Sequence, residues 1–458
     1  MRKLFGTDGI RGVAGDFPLD AETVFAIGRA LGHHLAANGT PLRVVMGQDT
    51  RESSAWIADA VSAGLASVRV AVESAGVVTT PAIAYLARAK KYSAGVVVSA
   101  SHNPWTDNGI KVFGSTGYKL PDEIELDIER EIFAQLESPR DAGPAEGGRA
   151  TQASLPGDGA LRRGYIEWLA ASAKPRPLGG LKVVVDCAHG AASALAPEVF
   201  RACGITARFV YNSPDGQNIN DHCGALHPEV VAKAVVESGA DLGITFDGDA
   251  DRALFADARG NVVNGDGILL LAALDLKSRG VLSKDLIVAT TMSNMGLESA
   301  LSRSGIGMLR AQVGDKYVLE EMQKSGAALG GEQSGHVIFA DRFSGGATTG
   351  DGLLTALRVL DVVSRSGKSL SELAAGLEVF PQIIKNVRVR EKKPLTDVPE
   401  VAAAIADAER RLDGRGRVVV RYSGTEPLAR VMVEAATKEE VRATADAIVA
   451  AIRKTLGA

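Results

Sequence analysis

Short runs of valine, isoleucine and leucine recur along this chain, and each is followed by a polar loop and then by an amphipathic segment. AGVVVSASHNP, LKVVVDCAHGAASALAPEVF and DLGITFDGDADRALF show the apolar runs and the loops. Such runs, separated by amphipathic segments of roughly ten to fifteen residues, indicate buried strands that alternate with helices. The chain is therefore predicted to be an α/β protein whose strands are mostly parallel.

The length of 458 residues is too great for one ordinary core. The stretch from Ser138 to Gly159 is rich in glycine, proline and charge and lacks periodicity, so it is predicted to be a linker. The pattern changes again after about Gly367, where strands and helices form a small module. Four domains are predicted, at residues 1–150, 151–252, 253–370 and 371–458.

Composition excludes several classes of partner. The formal net charge is −4 with no long basic run, which argues against a nucleic-acid or anionic-membrane binder. The three cysteines lack CxxC spacing, so neither a disulfide framework nor a structural zinc site is expected. No segment approaches the 18 uninterrupted apolar residues of a membrane span, and the two basic residues of the N-terminus are not followed by the apolar region of a signal peptide. A cytoplasmic protein with small ligands is therefore expected.

Three carboxylates follow the apolar run DLGITF. In TFDGDADR, Asp247, Asp249 and Asp251 are separated only by Gly248 and Ala250. Crowded anionic oxygens repel one another unless a cation neutralises them, and oxygen ligands suit Mg²⁺ or Ca²⁺. An EF-hand loop is excluded because its required glycine and final glutamate are replaced by arginine and alanine. The spacing predicts a Mg²⁺ site, with an acidic surface turn as the alternative.

Two further loops carry residues suited to a phosphorylated sugar. RYSGTEPLAR, from Arg421 to Arg430, offers hydroxyl groups, a glycine and an arginine at each end, a combination typical of a phosphate site. GGEQSGH, from Gly330 to His336, places a carboxylate, an amide, a hydroxyl and an imidazole together, which suits sugar hydroxyl groups. A simple hairpin and a solvated loop are the respective alternatives. GTDGIRG is weak alone because it matches no dinucleotide or P-loop pattern.

The stretch VVVSASHNPWTDNGIKVFG contains two candidate serines. Ser99 lies in or near the end of a predicted strand, whereas Ser101 follows it before an Asn-Pro turn and is expected to be exposed. A serine hydrolase is a weak alternative, because no GxSxG motif is present and His102 would not share the face of Ser101 in extended chain. Beside a metal loop, Ser101 is better suited to carry a phosphoryl group. Lys111 could supply charge or, with a lowered pKa, transfer a proton; an exposed strand residue is the alternative.

The motifs GTDGIRG, SASHNP with NGIK, DGDADR, and GEQSGH with RYSGTEP occur in the order seen in the α-D-phosphohexomutase superfamily. The chain resembles that family over nearly its whole length. GEQSGH, VVDCAHGAA, SNMGLE and ATTGDGL are most similar to members that act on glucosamine phosphates. The resemblance implies three related α/β domains with mixed sheets and a smaller α+β C-terminal domain around a central cleft.

The resemblance also implies roles for the motif residues. The catalytic residues would be Arg11, Ser101, His102 and Lys111. The ligands of one Mg²⁺ would be Ser101 through its phosphate, Asp247, Asp249 and Asp251. The substrate-binding residues would be Arg252, Glu332, Ser334 and His336. The non-reacting phosphate would be held by Arg421, Ser423, Gly424, Thr425 and Arg430.

The implied activity is the interconversion of glucosamine 6-phosphate and glucosamine 1-phosphate through glucosamine 1,6-bisphosphate, for UDP-N-acetylglucosamine synthesis. A mutase of the same superfamily that acts on glucose or mannose phosphates is the alternative. An activating kinase or self-phosphorylation would prime Ser101, and a homodimer is compatible with the resemblance. Neither a nucleic-acid nor a membrane partner is expected. Lys316 stands where relatives often have arginine, which puts a bidentate contact there in doubt.

Overall fold

The computed structural model describes residues 4–6, 8–37, 42–137, 157–173, 180–341, 346–423 and 427–458. Residues 1–290 and 309–374 form one compact unit, and residues 291–308 and 375–458 form another. Most of the predicted linker, residues 138–156, lies outside the described part. Within the described ranges, no helix is both long and apolar enough to cross a membrane.

The first sheet is mixed and has six strands. In spatial order these are β1 (Phe5–Gly6), β2 (Gly9–Val13), β6 (Asp107–Gly114), β5 (Ala94–Val98), β3 (Arg43–Gln48) and β4 (Ala71–Val77). Its helices are α1 (Ala21–Ala37), α2 (Ser54–Ser67), α3 (Thr80–Ala89) and α4 (Asp122–Glu137). β3 is parallel to β4 and β5, and the other pairs are antiparallel. The valines of β5 are fully buried, as expected for a strand inside a covered sheet.

The second sheet has five strands. In spatial order these are β11 (Val262–Val263), β10 (Ala253–Asp257), β9 (Leu242–Phe246), β7 (Val183–Asp186) and β8 (Ala207–Val210). Its helices are α5 (Gly159–Ala173), α6 (Ala192–Ala202) and α7 (Pro228–Ser238). β10 pairs with β9 along its whole length, so this sheet continues past residue 252, the predicted end of the second domain.

The third sheet has four strands. In spatial order these are β13 (Gly307–Ala311), β12 (Leu286–Thr290), β14 (Leu329–Gly331) and β15 (Val337–Phe339). The helices in this part of the chain are α8 (Gly265–Ser278), α9 (Met295–Arg303), α10 (Asp315–Ser325), α11 (Gly352–Ser366) and α12 (Leu370–Ala374). Asp351 caps the N-terminus of α11, and its carboxylate accepts a hydrogen bond from the N–H of Leu354.

The C-terminal unit is a small antiparallel sheet covered by helices. Its strands in spatial order are β16 (Gln382–Arg388), β18 (Leu428–Ala435) and β17 (Gly416–Tyr422), and its helices are α13 (Pro399–Leu412) and α14 (Lys438–Leu456). Helix α9 belongs to this unit. Asn294 caps α9 and donates to the buried carboxylate of Glu434, which Arg417 also contacts at 2.7 Å. A 3₁₀ turn lies in this unit at Leu395–Asp397, and others lie elsewhere in the chain, at Gly224–Leu226 and Ser283–Asp285.

The four predicted functional loops all lie between neighbouring antiparallel strands. Residues 99–106 connect β5 to β6, 247–252 connect β9 to β10, and 332–336 connect β14 to β15. The fourth loop lies between β17 and β18. The prediction of mostly parallel strands is only partly right, because a short loop allows only an antiparallel return, whereas a parallel pair needs a crossover of about a dozen residues. The α/β class with mixed sheets and a smaller α+β C-terminal domain is confirmed.

Candidate active site

Ser101 lies in the loop of residues 99–106 between β5 and β6, hereafter the serine loop. Its backbone is left-handed, with φ of 54°. Its hydroxyl donates a hydrogen bond of 2.6 Å to Oδ2 of Asp247, which is 146 residues away and follows a strand of the second sheet. Ser101 is only 1% exposed, so the expectation of an exposed serine is wrong. The reason is tertiary, since residues 247–252 between β9 and β10, hereafter the acidic loop, lie against it. Ser99 instead donates its hydroxyl to Asp49 at 2.6 Å.

His102 is close to the Ser101 hydroxyl. Its Nδ1 lies 3.4 Å from Ser101 Oγ, because the left-handed residue brings neighbouring side chains together where extended chain would separate them. The expectation that the two side chains would not meet is therefore wrong. Burial lowers the pKa of His102 to about 4, and the guanidinium groups of Arg252 and Arg11 act in the same direction. The imidazole is therefore neutral near pH 7.

The loop after β9 gathers the three predicted metal ligands. Asp247, Asp249 and Asp251 are all buried, and one oxygen of each lies within 4.8 Å of the other two. Burial, together with the charges of Asp251 and Asp249, raises the pKa of Asp247 to about 8. Oδ1 of Asp249 and Oδ1 of Asp251 are buried and accept no hydrogen bond. The loop therefore contains carboxylate oxygens without donors, which suits a bound cation.

Lys111, on β6, places a positive charge beside this loop. Its Nζ lies 2.8 Å from Asp249, 2.9 Å from Asp8 and 3.6 Å from Asp251, and the side chain is 1% exposed. Burial acts to lower the pKa of Lys111, but the carboxylates of Asp249, Asp8 and Asp251 outweigh it and raise the pKa. The condition set for proton transfer, a lowered pKa, is not met. Lys111 therefore contributes charge.

Asp8 joins the predicted Arg11 to the same network. Asp8 accepts hydrogen bonds from Arg11 and from Lys119. Arg11 also donates to Oδ1 of Asn103 at 3.2 Å, and so contacts the serine loop. Lys119 also pairs with Asp315, at the start of α10. Arg11 and Lys111, two of the predicted catalytic residues, therefore lie in a network of alternating anions and cations.

Arg252, the last residue of the acidic loop, and His336 both lie near carboxylates of that loop. The N–H of Arg252 donates to Asp247 at 3.2 Å, and its guanidinium lies 3.8 Å from Asp251. His336 is 2% exposed, and its Nε2 accepts the N–H of Gly350 at 2.9 Å, which leaves Nδ1 facing Asp251 at 3.6 Å. The structure thus places His336, predicted to bind substrate, beside a candidate metal ligand.

The predicted sugar loop is the turn between β14 and β15. Glu332 and Ser334 are half-buried there, with the Ser334 hydroxyl 3.4 Å from Glu332 Oε2. The other oxygen of Glu332 accepts the N–H of Gly314 at 3.1 Å. Gln333 donates to Asp266 in the first turn of α8 at 3.1 Å, which anchors the turn. The turn therefore presents a carboxylate and a hydroxyl side by side, a pair suited to sugar hydroxyl groups.

In the C-terminal unit, Arg421 on β17 lies directly opposite Arg430 on β18, and both line one pocket. Burial lowers the pKa of Arg421, and the charge of Arg430 lowers it further. Like charges directly opposite each other destabilise a strand pair, so a bound anion would relieve the repulsion. Ser423 Oγ lies 3.4 Å from the Arg430 guanidinium. Gly424 and Thr425 lie outside the described residues.

Lys316, on α10, contacts residues outside the acidic loop. Its Nζ pairs with Asp122 and donates to the carbonyl of Leu120 at 3.3 Å. The side chain therefore links α10 to the start of α4, and a single ammonium group suffices for both contacts.

Sequence reasoning missed several residues that organise the site: Asp8, Asp49, Arg51, Thr80 and Lys119. A usable signal existed for two of them. GQDTR follows the apolar core of β3 as directly as TFDGDADR follows that of β9, so Asp49 and Arg51 carry the same local signal of a site at a strand end. Lys119 and Thr80 gave no such signal, because their partners are distant in sequence.

Four family models describing phosphoglucomutase/phosphomannomutase match the chain in order. The α/β/α domain I model matches residues 2–138, domain II 163–260, domain III 264–380 and the C-terminal domain 384–451. Together they span most of the chain, so the four-domain architecture implied by the resemblance is confirmed.

Relatives match over the full length. A phosphoglucosamine mutase from Koribacter versatilis is 60% identical over 100% of this chain and 98% of its own, and one from Solibacter usitatus is 50% identical over 100% and 99%. A phosphoglucomutase/phosphomannomutase family protein from Burkholderia thailandensis has a solved structure with a TM-score of 0.79 and 26% identity, over 98% of this chain and 97% of its own. The N-acetylphosphoglucosamine mutase of Aspergillus fumigatus, at 19% identity and a TM-score of 0.64 over 99% and 96%, shares the fold.

Proposed function

This chain belongs to the phosphoglucosamine mutases of the phosphoglucomutase/phosphomannomutase family, and from that premise we propose that it interconverts glucosamine 6-phosphate and glucosamine 1-phosphate. The observation that carries the proposal is the meeting of Ser101 with the acidic loop, where the serine hydroxyl contacts Asp247 at 2.6 Å. A serine that carries a phosphoryl group needs a concentrated positive charge beside it, and Lys111 with a divalent cation would supply it. The product would feed UDP-N-acetylglucosamine synthesis.

The acidic loop is proposed to hold one Mg²⁺. Its ligands would be Asp247, Asp249, Asp251 and an oxygen of phosphorylated Ser101. The all-oxygen donor set and the two buried oxygens without hydrogen bonds fit this ion. When bound, Mg²⁺ would offset negative charge on the transferring phosphoryl group.

The side chains around Ser101 suggest how a proton moves during transfer. As the sugar hydroxyl oxygen bonds to phosphorus and the bond from phosphorus to Ser101 Oγ breaks, the sugar loses a proton and Oγ gains one. His102, neutral near pH 7 and 3.4 Å from Oγ, is a suitable proton carrier. Lys111 keeps its proton and, with Arg11, stabilises the transferred charge. The reverse transfer of the second phosphate from glucosamine 1,6-bisphosphate restores the phosphoserine.

Two further groups of residues are proposed to orient the sugar phosphate. Glu332 and Ser334 would bind sugar hydroxyl groups, and Arg252 and His336 would bind the substrate beside them. The opposed guanidinium groups on β17 and β18 would bind the phosphate that does not react, since a dianion removes their mutual repulsion. This second set comprises Arg421, Ser423, Gly424, Thr425 and Arg430.

The proposed activity is tested by a coupled assay with glucosamine, glucose and mannose 6-phosphates at equal concentration. Glucosamine 6-phosphate is expected to give the highest kcat/KM. Faster turnover of glucose or mannose 6-phosphate would instead favour the other mutases of this family.

Replacing Thr80 by valine is expected to weaken Mg²⁺ binding by about tenfold. The Thr80 hydroxyl and Lys111 both donate to Oδ2 of Asp249, which leaves Oδ1 for the metal, and the N–H of Thr80 binds the Asp249 carbonyl at 3.0 Å. Isothermal titration calorimetry with Mg²⁺ on unphosphorylated protein measures the change. Thr106→Val, at an exposed threonine, is the control and should bind as the unmodified protein does. Equal affinities for both variants would contradict the role of Thr80.

The source of the phosphate on Ser101, whether an activating kinase or self-phosphorylation, stays a prediction. The homodimer and the cytoplasmic location also stay predictions. They rest on the family resemblance and the composition.

A further inference from the structure

Arg51 is fully buried beneath the serine loop. It lies between β3 and α2, and its guanidinium donates to Oδ2 of Asp49 at 2.8 Å. Its other donors reach main-chain carbonyls of the serine loop, at 2.9 Å for residues 101 and 103, and the carbonyl of Pro104 accepts another hydrogen bond. The carbonyl of Asp107, the first residue of β6, accepts one more at 3.0 Å. One side chain therefore fixes three carbonyls of the loop that carries Ser101 and one at the start of β6.

The Asp49–Arg51 pair is connected to both main-chain polar groups of Ser101. The Ser101 carbonyl accepts directly from Arg51, and the Ser101 N–H donates at 3.0 Å to Ser99 Oγ, which donates in turn to Asp49. Asn220 adds a second hydrogen bond to the Ser101 carbonyl, at 3.0 Å. A serine with φ of 54° is in a sparsely populated conformation, which persists only where surrounding contacts enforce it.

We propose that Arg51, together with Asp49, is a positioning residue that holds Ser101 in the left-handed conformation from which its hydroxyl faces the acidic loop. The inference rests on the proposed phosphoryl transfer at Ser101. Arg51 contacts Asp49 and the backbone beside Ser101. Replacing it should therefore slow phosphoryl transfer by Ser101 and leave sugar binding unchanged. Guanidinium geometry matters, because an ammonium group cannot direct donors to Asp49 and to four carbonyls at once.

The test compares Arg51→Lys with Arg43→Lys in the full-length protein. Arg43 is a suitable control because it pairs with Glu73 at the surface, where its side chain is 47% exposed. The assay uses the hexose 6-phosphate that the unmodified protein turns over fastest. For Arg51→Lys we expect kcat to fall by about 100-fold, the loss typical of a misplaced reacting group, with KM changed less than about threefold. Arg43→Lys should match the unmodified protein.

A second variant separates positioning from folding. Ser99→Ala removes the link from Asp49 to the Ser101 N–H but leaves the buried ion pair intact, and we expect kcat about tenfold lower at unchanged KM. Single-turnover loss of phosphate from Ser101, followed by intact mass, should slow in both variants. Unchanged kcat in Ser99→Ala and in folded Arg51→Lys would overturn the role of Arg51 while the proposed function stands. No turnover of any hexose phosphate by the unmodified protein would overturn both.

Discussion

The Ser101→Ala variant is expected to lose mutase activity by a factor on the order of 10⁴ or more, since a reaction through a phosphoenzyme cannot proceed without the oxygen that carries the phosphoryl group. Purified unmodified protein should contain a fraction heavier by one phosphoryl group, and this fraction should be absent from the variant. Intact-protein mass spectrometry and the coupled assay measure the two effects. Within the described part of the chain, the Ser101 hydroxyl makes polar contacts only with Asp247, at 2.6 Å, and His102, at 3.4 Å, so its removal should leave the variant folded.

Ser99→Ala is the matched control for the site of the phosphate. It removes a neighbouring hydroxyl that bonds to Asp49, and it should still carry phosphate. Phosphate that maps to Ser99, or full activity of Ser101→Ala, would contradict the proposed phosphoserine.

Replacing Lys111 by methionine is expected to reduce both stability and activity. The change removes the cation that lies 2.8 Å from the buried carboxylate of Asp249 and 2.9 Å from the partly exposed carboxylate of Asp8. Breaking a buried pair in this way lowers the free energy of unfolding by about 3–5 kcal/mol. The loss of positive charge beside the transferring group should lower kcat by about 10²–10³-fold. Urea unfolding and the coupled assay measure these effects.

Mg²⁺ should return part of the stability lost in Lys111→Met, because a cation held by the same carboxylates replaces part of the missing charge. Lys119→Met is the matched control, since Lys119 pairs with Asp8 and Asp315 rather than with the acidic loop. The control should lose stability without an enhanced response to Mg²⁺. Equal responses of the two variants to Mg²⁺ would show that Lys111 does not neutralise the negative charge of the metal ligands.

The chemistry of the loops could be predicted because its signal is local. Asp247, Asp249 and Asp251 follow an apolar run within five residues, and Ser101 follows another in the same way. Burial could not be predicted so well. Ser101 was expected to be exposed, yet it is buried by a loop from a different sheet, and its left-handed backbone brings His102 within 3.4 Å.

Residues that support the site were missed because their contacts, too, are with segments distant in the sequence. Thr80 acts through a contact with a residue 169 positions away, and no spacing rule relates such positions. Arg51 follows the apolar core of β3, which is a local signal, but its contact with the Ser101 carbonyl spans 50 positions and has no local signal. Lys111 was recognised as a candidate, but its protonation depends on three carboxylates from distant parts of the chain. Without those neighbours, both a raised and a lowered pKa were compatible with the sequence.

The sequence by itself determined which loops carry the chemistry and which class of fold presents them, because apolar periodicity and residue type are properties of short stretches. Only the tertiary structure decided that those loops are antiparallel returns, that Ser101 lies against Asp247, and that Lys111 stays charged. The physical reason is that burial and electrostatic environment depend on the packing of segments far apart in the chain, and these interactions set both backbone conformation and pKa.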